Sequence, residues 1–125
     1  MIKKGISMKR DMDLIRKMLL AIEADEQGLA PKIEIDGYTQ EEINYHAILL
    51  GEAGLAVVIE AGGMGGTSPE AQIDRLTWAG HEFLDSSREN KTWNQAKDVI
   101  NKIGGASIQI WASVLTEIIK KNLGI

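Results

Sequence analysis

Apolar residues near the start of the chain recur at intervals of three and four. They are Met12, Ile15, Leu19 and Ile22. This spacing puts them on one side of a helix and predicts a helix over about residues 9–24. Residues 32–36 (KIEID) instead alternate polar and apolar side chains, which predicts a short strand closed by Gly37.

A second helix is predicted where Thr39 is followed three residues later by Glu42. This pair is typical of a capping box, in which the side chain of each residue binds the main chain of the other. We expect the helix to run to about Ala53, with Gly54 as its C-terminal stop.

A β-hairpin is predicted after this helix. Residues 55–61 (LAVVIEA) are rich in valine and isoleucine and are typical of a strand, and residues 73–77 (IDRLT) form the returning strand. Between them, residues 62–69 (GGMGGTSP) contain four glycines, which favour turns over regular structure. We therefore expect residues 62–70 to be the most mobile internal segment of the protein.

Three further helices are predicted over about residues 78–88, 92–103 and 106–122, and Gly104 and Gly105 break the last two apart. The last helix carries apolar residues on two sides. A helix that is apolar all round is buried on both sides. The second side is expected either to meet another copy of the chain or to belong to a deeply buried central helix. The candidate dimer interface consists of Ile110, Trp111, Val114 and Ile118.

The order of elements predicts a winged-helix-like α+β fold. The strand at 32–36 would join the hairpin in a three-stranded sheet, the helix at 39–53 would be the recognition helix, and the hairpin would be the wing. We expect one domain over residues 1–125, with a core at 8–88 and a helical extension at 92–122. No room remains between the first strand and the recognition helix for the separate second helix of common winged helices.

Three stretches carry a resemblance to a known family. They are MKRDMDLIRKMLLAIE (8–23), EEINYHAILLGEAGLAVVIEA (41–61) and DRLTWAGHEFLD (74–85). Together they resemble the uncharacterised domain-of-unknown-function family 2513, found in bacteria and their phages. The resemblance implies a winged-helix-like fold but supplies no established activity and no functional residues.

The composition is that of an ordinary globular domain, with 44% hydrophobic and 26% charged residues in 125. There is no cysteine, so disulfides and thiolate metal sites are excluded. No apolar run approaches the roughly 18 residues of a spanning helix, so we expect a cytoplasmic protein without a membrane partner.

Candidate enzymatic features are weak. Glu42 and His46 are spaced four apart, as are His81 and Asp85, but a catalytic zinc takes three protein ligands. Helix-surface pairing is the commoner explanation of this spacing. The GGMGG run lacks the remaining glycine of a dinucleotide fingerprint and the Gly-Lys-Ser/Thr of a phosphate-binding loop. We expect no metal, no cofactor and no enzymatic activity.

Charge is distributed unevenly along the chain. Residues 1–17 carry six cations against two acids, residues 18–60 carry nine acids against one cation, and residues 61–125 carry seven of each. Cations that neutralise phosphates supply most of the affinity for DNA. The first helix offers Lys9, Arg10, Arg16 and Lys17 for this purpose, although these residues also suit a solvated helix face. The recognition helix would oppose DNA binding, because it carries Glu41, Glu42 and Glu52 and no cation.

These patterns leave two functions open. The first is a non-enzymatic winged-helix module that acts as a DNA-associated regulator, in which Gln40, Asn44, Tyr45 and His46 contact bases. The second is a protein-interaction module, phage-encoded or binding a host factor, that does not bind DNA. In it, the acidic helix with Glu41, Glu42 and Tyr45, together with the wing, would attract a basic partner.

Overall fold

The structure is a computed structural model that describes residues 8–25, 31–60 and 70–125. The described elements are α1 (Met12–Ala24), α2 (Gln40–Glu52), β1 (Ala56–Glu60), β2 (Ala71–Leu76), α3 (Trp78–Ser87), α4 (Asn90–Asn101) and α5 (Ile108–Leu123). The protein is therefore of the mixed α+β class, as the sequence predicts. The chain divides into two compact units, Met1–Gly80 and His81–Ile125. In the described ranges, no helix combines the length and the apolar character that crossing a bilayer requires.

The caps of the first two helices follow from local sequence. Asp11 precedes α1, and its carboxylate accepts hydrogen bonds from the main-chain N–H groups of Asp13 and Leu14 at 2.9 and 3.2 Å. The predicted capping box of α2 is confirmed. The Thr39 hydroxyl accepts from the N–H of Glu42 at 3.1 Å, and the Glu42 carboxylate accepts from the N–H of Thr39 at 3.0 Å. These bonds satisfy main-chain donors that the first turn of a helix leaves open.

The core of the first unit lies between α1, α2 and the hairpin. α1 contributes Leu14, Ile15, Met18, Leu19 and Ile22, and α2 contributes Ile43, Ala47 and Leu50. The hairpin is confirmed as an antiparallel pair, with Ala56 opposite Leu76 and a register irregularity between Val57 and Val58. The predicted mobile tip, residues 62–70, falls outside the described residues except for Glu70.

The predicted strand at 32–36 is wrong. In the described part of the chain the sheet has two strands, β1 and β2, and residues 31–35 are not paired with either. The alternation that suggested a strand is present, because Ile33 is buried while Lys32 and Glu34 are exposed. Alternation records which side chains are buried, whereas a strand also needs main-chain hydrogen bonds to a neighbour.

A cluster of contacts joins the end of the hairpin to the turn after α2. The Thr77 N–H donates to the Leu55 carbonyl at 3.1 Å, and the Thr77 hydroxyl donates to the Gly54 carbonyl at 2.5 Å. The same hydroxyl accepts from the Gly80 N–H at 3.0 Å. A Cβ on Gly80 would lie 1.9 Å from the Leu55 carbonyl oxygen. The Ala-Gly-Leu sequence after α2 (53–55) thus contacts the Leu-Thr-x-x-Gly sequence at the end of β2 (76–80).

The second unit is built on the packing of α4 against α5. The rings of Trp93 and Trp111 stack with their centroids 4.6 Å apart and an angle of 21° between planes. Ala96, Ile100 and Leu115 complete the buried surface of this pair. The predicted break at Gly104 and Gly105 is confirmed, because both have positive φ, a conformation that glycine adopts at low cost.

Candidate nucleic-acid interface

A buried histidine connects the start of α1 to the middle of α2. His46 is only 1% exposed, and its Nε2 accepts a hydrogen bond from the Asp11 main-chain N–H at 2.8 Å. Its Nδ1 lies 2.8 Å from the Glu42 carbonyl oxygen. Because that oxygen can only accept, we assign the proton to Nδ1 and the neutral form to the ring. Both ring nitrogens are therefore used within the fold, and the expectation that His46 contacts bases is wrong.

Tyr38 joins the same cluster from the segment before α2. Its hydroxyl donates to the Asp11 carboxylate at 3.0 Å, and the ammonium of Lys17 lies 5.7 Å from the centre of its ring. Burial raises the pKa of the Tyr38 phenol to about 12, and the hydrogen bond to Asp11 and nearby carboxylates act in the same direction. We call Asp11, Tyr38 and His46 the Asp11 junction.

Three of the four predicted cationic contacts lie at this junction. Lys9 and Arg10 immediately precede Asp11 and are exposed, and Lys17 is held over Tyr38. Arg16 is less exposed. Burial lowers the pKa of its guanidinium, and the charge of Asp13 opposes that shift. The start of α1 is thus held against α2 through Asp11, and Lys17 lies over Tyr38 just before α2.

The candidate base-contacting residues lie close together on α2. The Gln40 side chain donates to the Asn44 side chain at 2.9 Å, and Gln40 is exposed. Tyr45 is half-buried and meets the His46 ring edge-on at 5.9 Å between centroids. Glu41 is also half-buried. The expectation that Glu42 faces a partner is wrong, because Glu42 is 7% exposed and its carboxylate closes the capping box.

The histidine pairs do not assemble a metal site. The side chains of Glu42 and His46 are engaged in the capping box and the Asp11 junction, and the Asp85 carboxylate accepts from Arg88 at 2.9 Å. Over the ranges that the structure covers, no group of three or more potential ligands is close enough to hold a metal ion.

The four residues of the candidate dimer interface have different environments. Trp111 is 4% exposed and is stacked on Trp93, so it belongs to the core of the second unit. Its assignment to the dimer interface is therefore wrong. Ile110 is 47% exposed, and Val114 and Ile118 are half-buried. These three retain apolar surface.

Sequence reasoning missed two features of the first unit. One is the Asp11 junction, for which the aspartate directly before the apolar repeat of α1 was an available signal of an N-cap. The other is a groove of about 260 Å³ bordered by residues 31–33, the first half of α2 and the start of β2. Its signal could not be found in local sequence, because the three stretches are distant along the chain.

Comparison with known proteins identifies the family. The model of a family described as hypothetical protein (DUF2513) matches residues 9–107, so the chain belongs to that family and the resemblance is confirmed. An uncharacterized protein of Haemophilus influenzae is 38% identical over 96 residues, which cover 74% of this chain and 79% of the relative. No solved structure matches the chain.

Proposed function

We propose that this protein is a non-enzymatic, winged-helix-like module of bacterial or phage origin that associates with DNA as a regulator in the cytoplasm. The order of α1, α2 and a hairpin resembles part of a winged helix, in which the helix before the hairpin enters the major groove. One fold hosts many functions, so the contacts of particular residues are needed to support this one.

The observation that supports the proposal best is the hydrogen bond between Asp11 and His46. α2 has no lysine or arginine, so phosphate contacts must come from another element. The Asp11 junction holds the start of α1 against α2, Lys17 lies over Tyr38, and Lys9 and Arg10 directly precede Asp11 in the chain. A duplex that received α2 in its groove would meet these cations along its backbone.

The side chains of Gln40 and Asn44 would then read bases. Glutamine and asparagine amides pair with the N6 and N7 edge of adenine in the major groove. The hydrogen bond between the two side chains restricts their rotamers. A preorganised pair loses less side-chain entropy when it binds.

A protein-interaction module is the second candidate, and the charge of α2 favours it. Glu41 and Glu52 lie on a helix without cations, and Tyr45 lies between them in the sequence. Such a surface suits a basic protein and repels phosphate. Self-association through Ile110, Val114 and Ile118 is compatible with either candidate.

The test is duplex binding by fluorescence anisotropy at several salt concentrations. Replacing Lys9, Arg10, Arg16 and Lys17 with glutamine should weaken binding to all sequences. It should also flatten the salt dependence by about one unit of slope for each phosphate that is no longer neutralised. The matched control replaces Lys91, Lys102, Lys120 and Lys121, which removes the same charge from the second unit and should change binding little.

This control distinguishes a phosphate-binding surface on α1 from general electrostatic attraction between the protein and DNA. Equal losses of affinity in the two variants would contradict the assignment of the phosphate contacts to α1. Absence of duplex binding by the unaltered protein at low salt, where attraction to phosphate is strongest, would reject the regulator and leave the interaction module.

A further inference from the structure

Two stretches of main chain that border the groove, residues 31–34 and the outer edge of β2, are open to further hydrogen bonds in the described part of the chain. Within the described ranges, residues 31–34 make no main-chain hydrogen bond, and β2 pairs only with β1. The outer edge of β2 is therefore an open sheet edge. Such an edge presents a row of donors and acceptors that can pair with another strand.

The side chains around the groove suit an occupant that has both apolar and polar groups. Ile33, Ile43 and Ile73 border it and are 3–6% exposed, so the floor of the groove is apolar and offers an occupant only a small surface. Gln40 and Gln72 are exposed at its rim and can bind a main chain.

The charge of the residues that line the groove favours an occupant with a negative charge. Lys32 is the one cation among residues 18–60, which also hold nine acids. This lysine borders the groove, and among the residues that the structure describes no aspartate or glutamate does. A carboxylate in the groove would therefore meet a complementary charge.

The groove is slightly smaller than typical sites for drug-sized molecules. Its volume is about 260 Å³, whereas sites for drug-sized molecules typically hold roughly 300–1,000 Å³. A single extended main chain is narrow and can continue beyond both ends of such a groove.

We propose that the groove binds an extended acidic peptide of another protein, which pairs with the outer edge of β2 as an added strand. Main-chain hydrogen bonds then provide affinity, and the isoleucine floor and Lys32 provide selectivity. This site is separate from the cations of α1, but it shares Gln40 and Asn44 with the proposed base-reading residues, so a bound peptide and a duplex would compete.

The test uses the peptide acetyl-Thr-Val-Asp-Val-Thr-amide and amide NMR of the full chain. We expect saturable shifts in residues 31–35 and 71–73 and slower amide exchange along β2. A peptide N-methylated at both valines loses the donors of one edge and should bind at least about tenfold more weakly.

The charge is tested with Lys32→Glu, which should weaken binding of the same peptide by about fivefold or more. The Lys32→Glu variant should regain binding when the peptide carries lysine in place of aspartate. The control Lys102→Glu makes the same charge change in the second unit and should leave binding unchanged.

Three results would overturn the proposal. They are the absence of a saturable shift at about 5 mM peptide, equal binding of the N-methylated peptide, and unchanged binding by Lys32→Glu. Binding that needs more than about 5 mM peptide is far weaker than that of specific complexes. Contacts between residues 31–35 and β2 in the absence of peptide would also overturn it, because the chain would then close the sheet itself.

Discussion

The Nε2 atom of His46 accepts the main-chain N–H of Asp11 at 2.8 Å, across 35 residues of sequence. The carboxylate of the same Asp11 caps α1 and accepts the hydroxyl of Tyr38. One residue therefore contacts the start of α1, His46 on α2 and Tyr38 just before α2.

Removing the acceptor of His46 should destabilise the protein. His46→Phe retains a ring of similar size but leaves the Asp11 N–H without its acceptor, which costs about 1–3 kcal/mol. His46→Gln provides a side-chain oxygen near the position of Nε2 and should cost less. Urea unfolding followed by tryptophan fluorescence measures both.

The exposed His81 supplies the control for this pair. His81→Phe should change the free energy of unfolding by about 0.5 kcal/mol or less. If His46→Phe were as stable as the unaltered protein, the hydrogen bond would not hold α1.

Tyr38 should ionise late in the folded protein. In a Tyr45→Phe background it is the only tyrosine, and phenolate absorbance should rise with a midpoint near pH 12 in the folded state and about 10 in urea. Because the folded pKa is raised, its contribution to stability is complete below about pH 10 and is lost as the pH rises to 12.

The Asp11 carboxylate is part of the cause of this shift. Asp11→Asn retains an N-cap residue but removes the charge, so the midpoint should move towards 10. A folded-state midpoint of 10 in the parent, with far-UV circular dichroism intact, would contradict the geometry of the junction.

Gly80→Ala should disrupt the contact between the hairpin and the turn after α2. The added Cβ would lie 1.9 Å from the Leu55 carbonyl oxygen, which belongs to the main chain and cannot rotate away. We expect a loss of about 2 kcal/mol or more in the free energy of unfolding, the range of overpacking. Gly51→Ala is the control, since its nearest neighbour is the Val58 side chain at 3.2 Å and alanine favours a helix. Equal effects of the two substitutions would refute the explanation.

Base reading by α2 should be confined to particular positions of a DNA site. Gln40→Ala or Asn44→Ala should cost about 1–3 kcal/mol at each base that the side chain reads and little at other positions. Because the two side chains bind each other, the double variant should depart from additivity. Anisotropy with a selected duplex and its single-base variants measures this, with Gln109→Ala on α5 as the control. A uniform decrease in affinity across all duplexes would contradict base reading.

Self-association should depend on the apolar surface of α5. Light scattering should give a mass twice the 13.7 kDa of one chain, and Ile110→Asp with Val114→Asp should give the monomer. Thr116→Asp lies on the opposite side of the helix and should leave the dimer intact. A monomeric mass for the unaltered protein at high micromolar concentration would reject the interface.

The sequence by itself determined the features whose hydrogen bonds are local. The pair of Thr39 and Glu42 predicted the start of α2, and Gly104 with Gly105 predicted the break before α5. Each signal involves residues within one helical turn, so no distant partner was needed to interpret it. The hairpin was equally readable, because its two strands follow each other in the chain.

Tertiary structure alone decided the contacts between residues far apart. Alternation at 32–36 identified Ile33 as buried but could not say whether a neighbouring strand would pair with it. The apolar pattern of α5 likewise could not say that Trp111 is covered by Trp93 of the same chain. His46 became the acceptor for Asp11 through a contact across 35 residues. Side-chain periodicity reports that a surface is buried, whereas the identity of what covers it depends on where the chain returns in space.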